Sequence, residues 1–301
     1  MNFLQRLFSQ PESETERYEP PPPDNVNSVN GDHKIHGLTD LRPGLHVGKL
    51  TDVGQERDRN EDSFFTVDSL VQHNYAREPF GLFIVADGMG GHQKGEVASN
   101  LAARVTASSI LQEIYLPYLT NNPHANNRPL YEALIAAVQY ANDTVQNEVP
   151  DGGTTLTAAL VMGDNAYIAH VGDTRAYIFQ QAELKQITQD HSLAHRLQET
   201  GQASAAEITH GQNILYKAIG QGGTLEVDTY VQHLPCGTSL LICSDGLWGP
   251  VNDEAMKQVL MSALTPQEAC EELVKMANES GGPDNITAVI VSVGQEDEAK
   301  L

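Results

Sequence analysis

Basic residues are scarce in this chain. Only 18 Lys and Arg stand against 40 Asp and Glu, a formal net charge of −22 with a pI near 4.7. A field of that sign repels nucleic acid and anionic membrane, so neither is an expected partner. It also repels a phosphorylated substrate unless metal ions or placed arginines reverse the sign locally. Cysteine is scarce as well. Cys236, Cys243 and Cys270 show no CxxC spacing, which argues against a disulfide framework or a thiolate zinc site and predicts a reducing, cytoplasmic setting. No stretch reaches the apolar length needed to span a bilayer. The apolar residues at the start, Phe3, Leu4, Leu7 and Phe8, are interrupted by Gln5 and Arg6, unlike a secretory leader. Internal repeats and the D-x-[DN]-x-[DN]-G-x₅-E calcium loop are both absent.

What remains is a chain of 301 residues, 40% hydrophobic, whose globular part follows a tail. Residues 1–43 hold the run Pro20-Pro21-Pro22-Pro23 among Glu, Ser, Asn and Asp. Such a segment buries too little apolar surface to offset its ordering entropy. Phe3, Leu4, Leu7 and Phe8 fall at helical spacing and are candidates for a short docking helix. From Gly44 the texture changes, and 44–294 reads as one domain, with 295–301 as a C-terminal tail. Strands are expected over 46–52, 64–67, 82–86, 154–162, 165–171, 176–179, 184–188, 239–243 and 286–293. A helix is expected over 96–115 with Val97, Leu101 and Val105 on its buried face. Another is expected over 129–149 with Leu130, Leu134, Val138, Ala141 and Val145 inward. Asn252 and Thr265, the latter in the box Thr265-Pro266-Gln267-Glu268, predict the starts of two more. A polar, mobile, partly helical segment is expected over 190–212.

The strand over 82–86 ends in Asp87-Gly88-Met89-Gly90-Gly91-His92. A single Asp-Gly after a strand is an ordinary turn. Here the pattern recurs: Gly172-Asp173, Asp245-Gly246 and Asp284-Asn285 each set an acid where a β-like run meets a turn, and Asp62 does so beside Glu61. Acids at five strand ends of one domain imply a shared edge where carboxylates gather. Like charges that close do not all stay ionised without cations. A set of oxygen ligands without Cys or clustered His favours Mg²⁺ or Mn²⁺ over zinc. Two such ions about 3.5–4 Å apart lower the pKa of a bridging water toward roughly 7 and neutralise a displaced phosphate. Arg57, close in sequence to Glu61 and Asp62, is a candidate bidentate grip for that phosphate.

At these residues the chain resembles the metal-dependent protein phosphatases of the PPM (type 2C) family, closest to their bacterial branch. The motifs are Arg57-Asp58-Arg59-Asn60-Glu61-Asp62-Ser63, Val85-Ala86-Asp87-Gly88-Met89-Gly90-Gly91, Gly153-Thr154-Thr155, His170-Val171-Gly172-Asp173-Thr174-Arg175, Ser244-Asp245-Gly246-Leu247-Trp248 and Pro283-Asp284-Asn285-Ile286-Thr287. They stand in the family's order across 44–294. The resemblance implies an α+β fold, a two-layer mainly antiparallel β-sandwich flanked by helices, with two Mn²⁺ or Mg²⁺ ions at one end and a weaker third. It implies that Asp87 bridges both metals and that Gly88 offers its carbonyl. Asp245 and Asp284 complete the first metal site, Asp62 (rather than Glu61) serves the second, and Asp173 helps hold the third. Arg57 then binds phosphate, and Arg57 and Asp87 are the catalytic residues. The implied reaction is hydrolysis of phosphoserine and phosphothreonine in proteins by direct attack of a metal-held hydroxide. A cognate Ser/Thr kinase is a candidate partner and the chain is expected to be a monomer. Animal relatives carry a histidine where this chain has Met89, so the acid for the leaving group is open between a metal-bound water, His191 and His92. The segment 190–212 matches the flap beside the active site. The rival readings are a non-catalytic phosphatase-like module that binds a partner and a hydrolase of small phosphate esters.

Overall fold

The computed structural model describes residues 44–73, 76–90, 93–120, 128–200, 214–223 and 225–294. The tails 1–43 and 295–301, the glycine-turn residue His92 and the flap residues 201–212 named above lie outside them. Two antiparallel sheets face each other. One has the order β1-β11-β10-β7-β8, built from Gly44–Asp52, Ile286–Gly294, Ser239–Cys243, Arg175–Gln180 and Glu183–Gln186. The other has the order β2-β3-β5-β6-β9, built from Asp62–His73, Ala76–Met89, Leu156–Met162, Asn165–Val171 and Asp228–His233, with the short β4 (Gly153–Thr154) against the end of β3.

The central strands read as unbroken apolar runs because both of their faces are covered. In β3, Phe83 and Val85 point into the space between the sheets, where Ile168, Ile178, Leu240, Ile242, Val289 and Val291 meet them. Leu82 and Ile84 point the other way, onto helices. Those helices are α1 (Lys94–Ile110) and α3 (Leu130–Glu148); between them a π-helical turn (Leu111–Tyr115) leads into the short α2 (Leu116–Leu119). After the flap helix α4 (Leu193–Thr200), the outer face of the other sheet is covered by α5 (Asp245–Trp248), α6 (Asp253–Ser262) and α7 (Pro266–Glu279). Leu247, Met256, Leu273 and Ala277 pack there against Leu241, Cys243 and Ile290. The result is the expected sandwich of two sheets between helical layers.

The Asn252 side chain accepts from the Ala255 N–H at the start of α6, and Thr265 accepts from the Glu268 N–H at the start of α7. Glu268 reaches back one residue further than expected, to the N–H of Leu264. The α3 stripe is buried as expected. The α1 stripe is only partly so: Leu101 packs against the core, but Val97 is 50% exposed, and the fully buried face is Ala98, Ala102, Ala103, Ala107 and Ile110. Small residues let this helix lie close to the sheet and to α3, and their own hydrophobic signal is weak. The expected helix over 96–115 is helical throughout, its last turn being π-helical, and the helical run continues to Leu119. Strand β9 was not expected; its outward residues Thr229 and Val231 are exposed, and its alternation is largely polar.

Candidate metal centre

The acids singled out in the sequence meet at one edge of the sandwich, where β3, β6 and β10 end and β2, β7 and β11 begin. Asp62 and Asp87 are direct cross-strand neighbours on β2 and β3. Both keep the parity of Phe64 and Val85, which face the space between the sheets. Asp173 lies on the turn that crosses from β6 in one sheet to β7 in the other. Asp245 opens α5 just after β10, and Asp284 precedes β11. Asp62 is 8% exposed and Asp173 5%.

The backbone around Asp87 is fixed on both sides. Its N–H donates to the Thr155 hydroxyl (2.9 Å), and its carbonyl accepts from the Thr155 N–H and the Thr154 hydroxyl (2.9 and 2.8 Å). Gly88 N–H donates to the Glu61 carbonyl (3.1 Å). A Cβ on Gly88 would run into the backbone carbonyls of Gly95 and Glu61, so glycine is required where the first turn of α1 meets the strand. Asp62 and Glu61 diverge. Asp62 turns inward and accepts from the Ser244 hydroxyl (2.7 Å), whereas the Glu61 carboxylate packs on Gly95 at the start of α1. Asn285 ties the loop that precedes them, accepting from the Glu61 N–H and donating to the carbonyls of Val53 and Arg59. Ser244, Thr155 and Asn285 were in the sequence motifs, but no role had been assigned to them. Their position next to an acid, or to its strand partner, was the available signal.

Burial and mutual repulsion dominate the electrostatics. Burial pushes the Asp62 carboxyl up to about 8, against the hydrogen bonds of Thr287 and Ser244. Asp245 is pushed up to about 6 by burial and then by the charge of Asp284. Asp87 is held well above the usual carboxylate range by burial and then by Asp62, Asp245, Asp173 and Asp284. Asp173 is raised in the same way, by burial and the charges of Asp245 and Asp190. Arg57 lies on Asp284 (Nη2 to Oδ2, 2.6 Å) rather than on Glu61 or Asp62, and stays half exposed. Burial opposes its charge, but Asp284, Asp245 and Asp87 together hold its affinity for the proton above the ordinary value.

These residues suit a hard divalent cation. The donors are all oxygen. Asp62 Oδ1 and Asp245 Oδ1 are buried without any hydrogen-bond partner, a costly state for a carboxylate oxygen that a cation relieves. Among the described residues no three His, Cys, Asp or Glu side chains lie close enough together to hold a metal ion as they stand.

His191, one of the three candidates for the proton donor, is not a mobile flap residue. It is 1% exposed. Its Nδ1 accepts from the Gly172 N–H (3.0 Å), and its Nε2 lies 3.1 Å from Asp228 Oδ2. The ring has no proton directed at the carboxylate edge. Next to the flap helix an open groove of about 490 Å³ is lined by Arg196, Tyr216, Lys217, Gln221, Leu225 and Glu226.

Comparison with known proteins agrees with this geometry. The family model described as "Protein phosphatase 2C" matches residues 55–279. The chain is 36% identical over 249 residues to the serine/threonine phosphatase stp of Listeria monocytogenes, covering 82% of this chain and 95% of that one. Among solved structures it resembles the serine/threonine phosphatase of S. agalactiae (TM-score 0.68, 32% identity, 83% of this chain and 99% of that one). It also resembles the catalytic domain of the phosphatase PstP in complex with two manganese ions (TM-score 0.67, 32% identity, 83% and 99%). The chain belongs to the protein phosphatase 2C family.

Proposed function

We propose that this chain is a metal-dependent serine/threonine phosphoprotein phosphatase whose machinery is the carboxylate edge of the sandwich. The observation that carries the reading is the pair of buried, unpartnered oxygens on Asp62 and Asp245, set among further acids. A non-catalytic module has no need for such a costly arrangement, and perturbed buried carboxylates mark active sites. In this reading Asp87, Asp245 and Asp284 hold one Mn²⁺ or Mg²⁺, while Asp87, the Gly88 carbonyl and Asp62 serve a second. Asp173 helps hold a weaker third. Cations bound there supply a water of lowered pKa and neutralise phosphate oxygens.

The chain's own residues do the rest. Thr154, Thr155 and Ser244 orient Asp87 and Asp62 through the hydrogen bonds described above. Asp284 keeps the Arg57 guanidinium at the rim, and its exposed remaining N–H groups suit two oxygens of an incoming phosphate. The thiols of Cys243 and Cys270 are buried, and burial raises the pKa of both, which makes them unsuited as nucleophiles. In this reading attack on phosphorus is by water, without a phospho-enzyme. His191 is unsuited to protonate the leaving group, which favours water for that step too.

The catalytic domain in this reading is 44–294, with 1–43 and 295–301 as tails, acting as a cytoplasmic monomer. Free thiols at Cys236, Cys243 and Cys270 suit that compartment, and no helix among the described residues is long and apolar enough to cross a membrane. A Ser/Thr kinase supplies the phosphoproteins that the enzyme consumes. The test is phosphate release from a phosphothreonine peptide with Mn²⁺, then with excess chelator. Turnover with metal that vanishes with chelator is expected; no turnover with any divalent metal, in protein shown to be folded, overturns the reading.

A further inference from the structure

The turn that delivers Asp173 to the edge is held by a residue outside the carboxylate set. Gly172, just before Asp173, has φ +109, and a Cβ there would collide with Thr155, the residue that also fixes Asp87. On its other side Gly172 pairs with His191. The His191 N–H donates to the Gly172 carbonyl (2.8 Å), and the His191 Nδ1 accepts from the Gly172 N–H (3.0 Å). One residue thus holds both polar groups of one peptide position.

The hydrogen positions follow from the partners. A backbone N–H only donates, so Nδ1 carries no proton. The ring proton is then on Nε2, which donates to Asp228 Oδ2 (3.1 Å). Asp228 is fixed in turn by Lys217, whose Nζ lies 2.9 Å from Oδ1. Asp228 begins β9, and Lys217 follows the flap, so the histidine connects three separate segments. His170 packs beside it with ring centroids 4.8 Å apart.

We propose that His191 is a positioning residue for the phosphatase reaction: its Nε2–H tautomer, selected by Asp228, clamps Gly172 and so sets the Asp173 carboxylate against Asp87 and Asp245. The proposal rests on the reading of Asp173 as part of the metal-binding edge. His191 acts through the peptide it holds and touches neither phosphate nor the reacting atoms.

Two amide side chains separate the two halves of the imidazole. Asparagine presents an acceptor near the Nδ1 position and does not reach Asp228; glutamine reaches Asp228 and lacks the acceptor beside Gly172. The experiment compares His191→Asn, His191→Gln and Asp173→Asn in the full chain. It reads kcat and KM on a phosphothreonine peptide with Mn²⁺, and hydrogen-exchange protection of the Gly172 amide by NMR in metal-free protein. His191→Gln is expected to lower kcat by about tenfold or more, a barrier change of ~1.4 kcal/mol, with KM little changed and Gly172 protection lost. His191→Asn is expected to retain most of both. Equal loss in the two variants overturns the proposal, as does loss of protection without loss of kcat. Asp173→Asn separates the two readings. If it keeps wild-type kcat, the role of Asp173 fails while Gly172 protection still reports the clamp; if it lowers kcat and His191→Gln does not, the clamp alone fails.

Discussion

Two buried polar regions lie side by side in this molecule, and they are built on opposite principles. At the carboxylate edge, Asp62, Asp87, Asp173 and Asp245 are packed together, and two of their oxygens have no partner. In the adjacent histidine network every polar atom of the rings is matched. His170 Nδ1 meets the Thr157 hydroxyl and Nε2 the Gln189 carbonyl, while His191 spans Gly172 and Asp228. A buried polar group is tolerated when it is satisfied and expensive when it is not. The satisfied network is complete as protein alone and acts as support. The edge has two carboxylate oxygens that a bound cation would satisfy, which supports the proposal that it is the site. The contrast separates the two regions more sharply than burial does, because buried polar residues occur in both.

The strongest way to break this contrast is to remove a charge from the edge. Asp87→Asn and Asp245→Asn keep the shape and lose a carboxylate. Turnover with Mn²⁺ should fall by roughly three orders of magnitude or more, on the order of 4 kcal/mol of barrier, while the circular dichroism spectrum stays that of the wild type. A purified, folded variant with activity near wild type would remove the edge from the mechanism.

Much of the edge was legible in the sequence because each acid stood at a strand end, where a short apolar run gives way to glycine or a polar turn. Strand β3 was legible because both of its faces are buried, so no polar residue interrupts 82–86. The caps at Asn252 and Thr265 were legible because capping is local. What was not legible depended on tertiary packing. The α1 interface is made of alanines, which read as neutral in sequence while Val97 reads as core and is exposed. Strand β9 is an edge strand with Thr229 and Gln232 in its alternation and pairs with β6 only in the folded sheet. His191 sits in a polar stretch that reads as loop, and nothing local announces that Gly172 and Asp228 enclose it. Arg57 was matched by proximity to Glu61 and Asp62, whereas its partner is Asp284, more than two hundred residues away.

A smaller effect, in stability, has opposite signs in the two regions. Asp62 and Asp245 are raised when folded, to about 8 and about 6, above an unfolded value of about 3.9. The folded state therefore holds protons that the unfolded state releases, and stability falls as pH rises from about 4 through about 8. His170 is lowered to about 3 by burial and by His191, below an unfolded value of about 6.5. There the unfolded state binds the extra proton, and stability is lost as pH falls from about 6.5 toward 3. The two limbs overlap between about pH 4 and 6.5, so chelated protein should have its highest melting temperature in that range and lose roughly 5–10 °C toward pH 9. Mn²⁺ should restore the alkaline loss, since a ligand that binds only the folded state stabilises it. Asp62→Asn should flatten the alkaline limb in chelated protein. An alkaline limb unchanged by that substitution would mean that the edge is not strained by its own charge.

The smallest effect tests the other side of the contrast. Thr157 is fully buried, and its hydroxyl lies between His170 Nδ1 (2.8 Å) and the Thr174 carbonyl (2.9 Å). Thr157→Val preserves the shape and removes the hydroxyl, whose single proton serves either His170 Nδ1 or the Thr174 carbonyl, so buried polar atoms lose a partner. The expected cost is about 1–3 kcal/mol, read as a melting temperature lower by roughly 3–10 °C. Because no edge carboxylate loses a partner, kcat at a temperature where the variant is fully folded should change by less than about threefold, under ~0.7 kcal/mol of barrier. A variant as stable as wild type would show that the network is not the support it is taken for. A variant with full stability and greatly reduced kcat would move Thr157 and His170 from the scaffold into the catalytic edge, and the division between the two regions would have to be redrawn at β5.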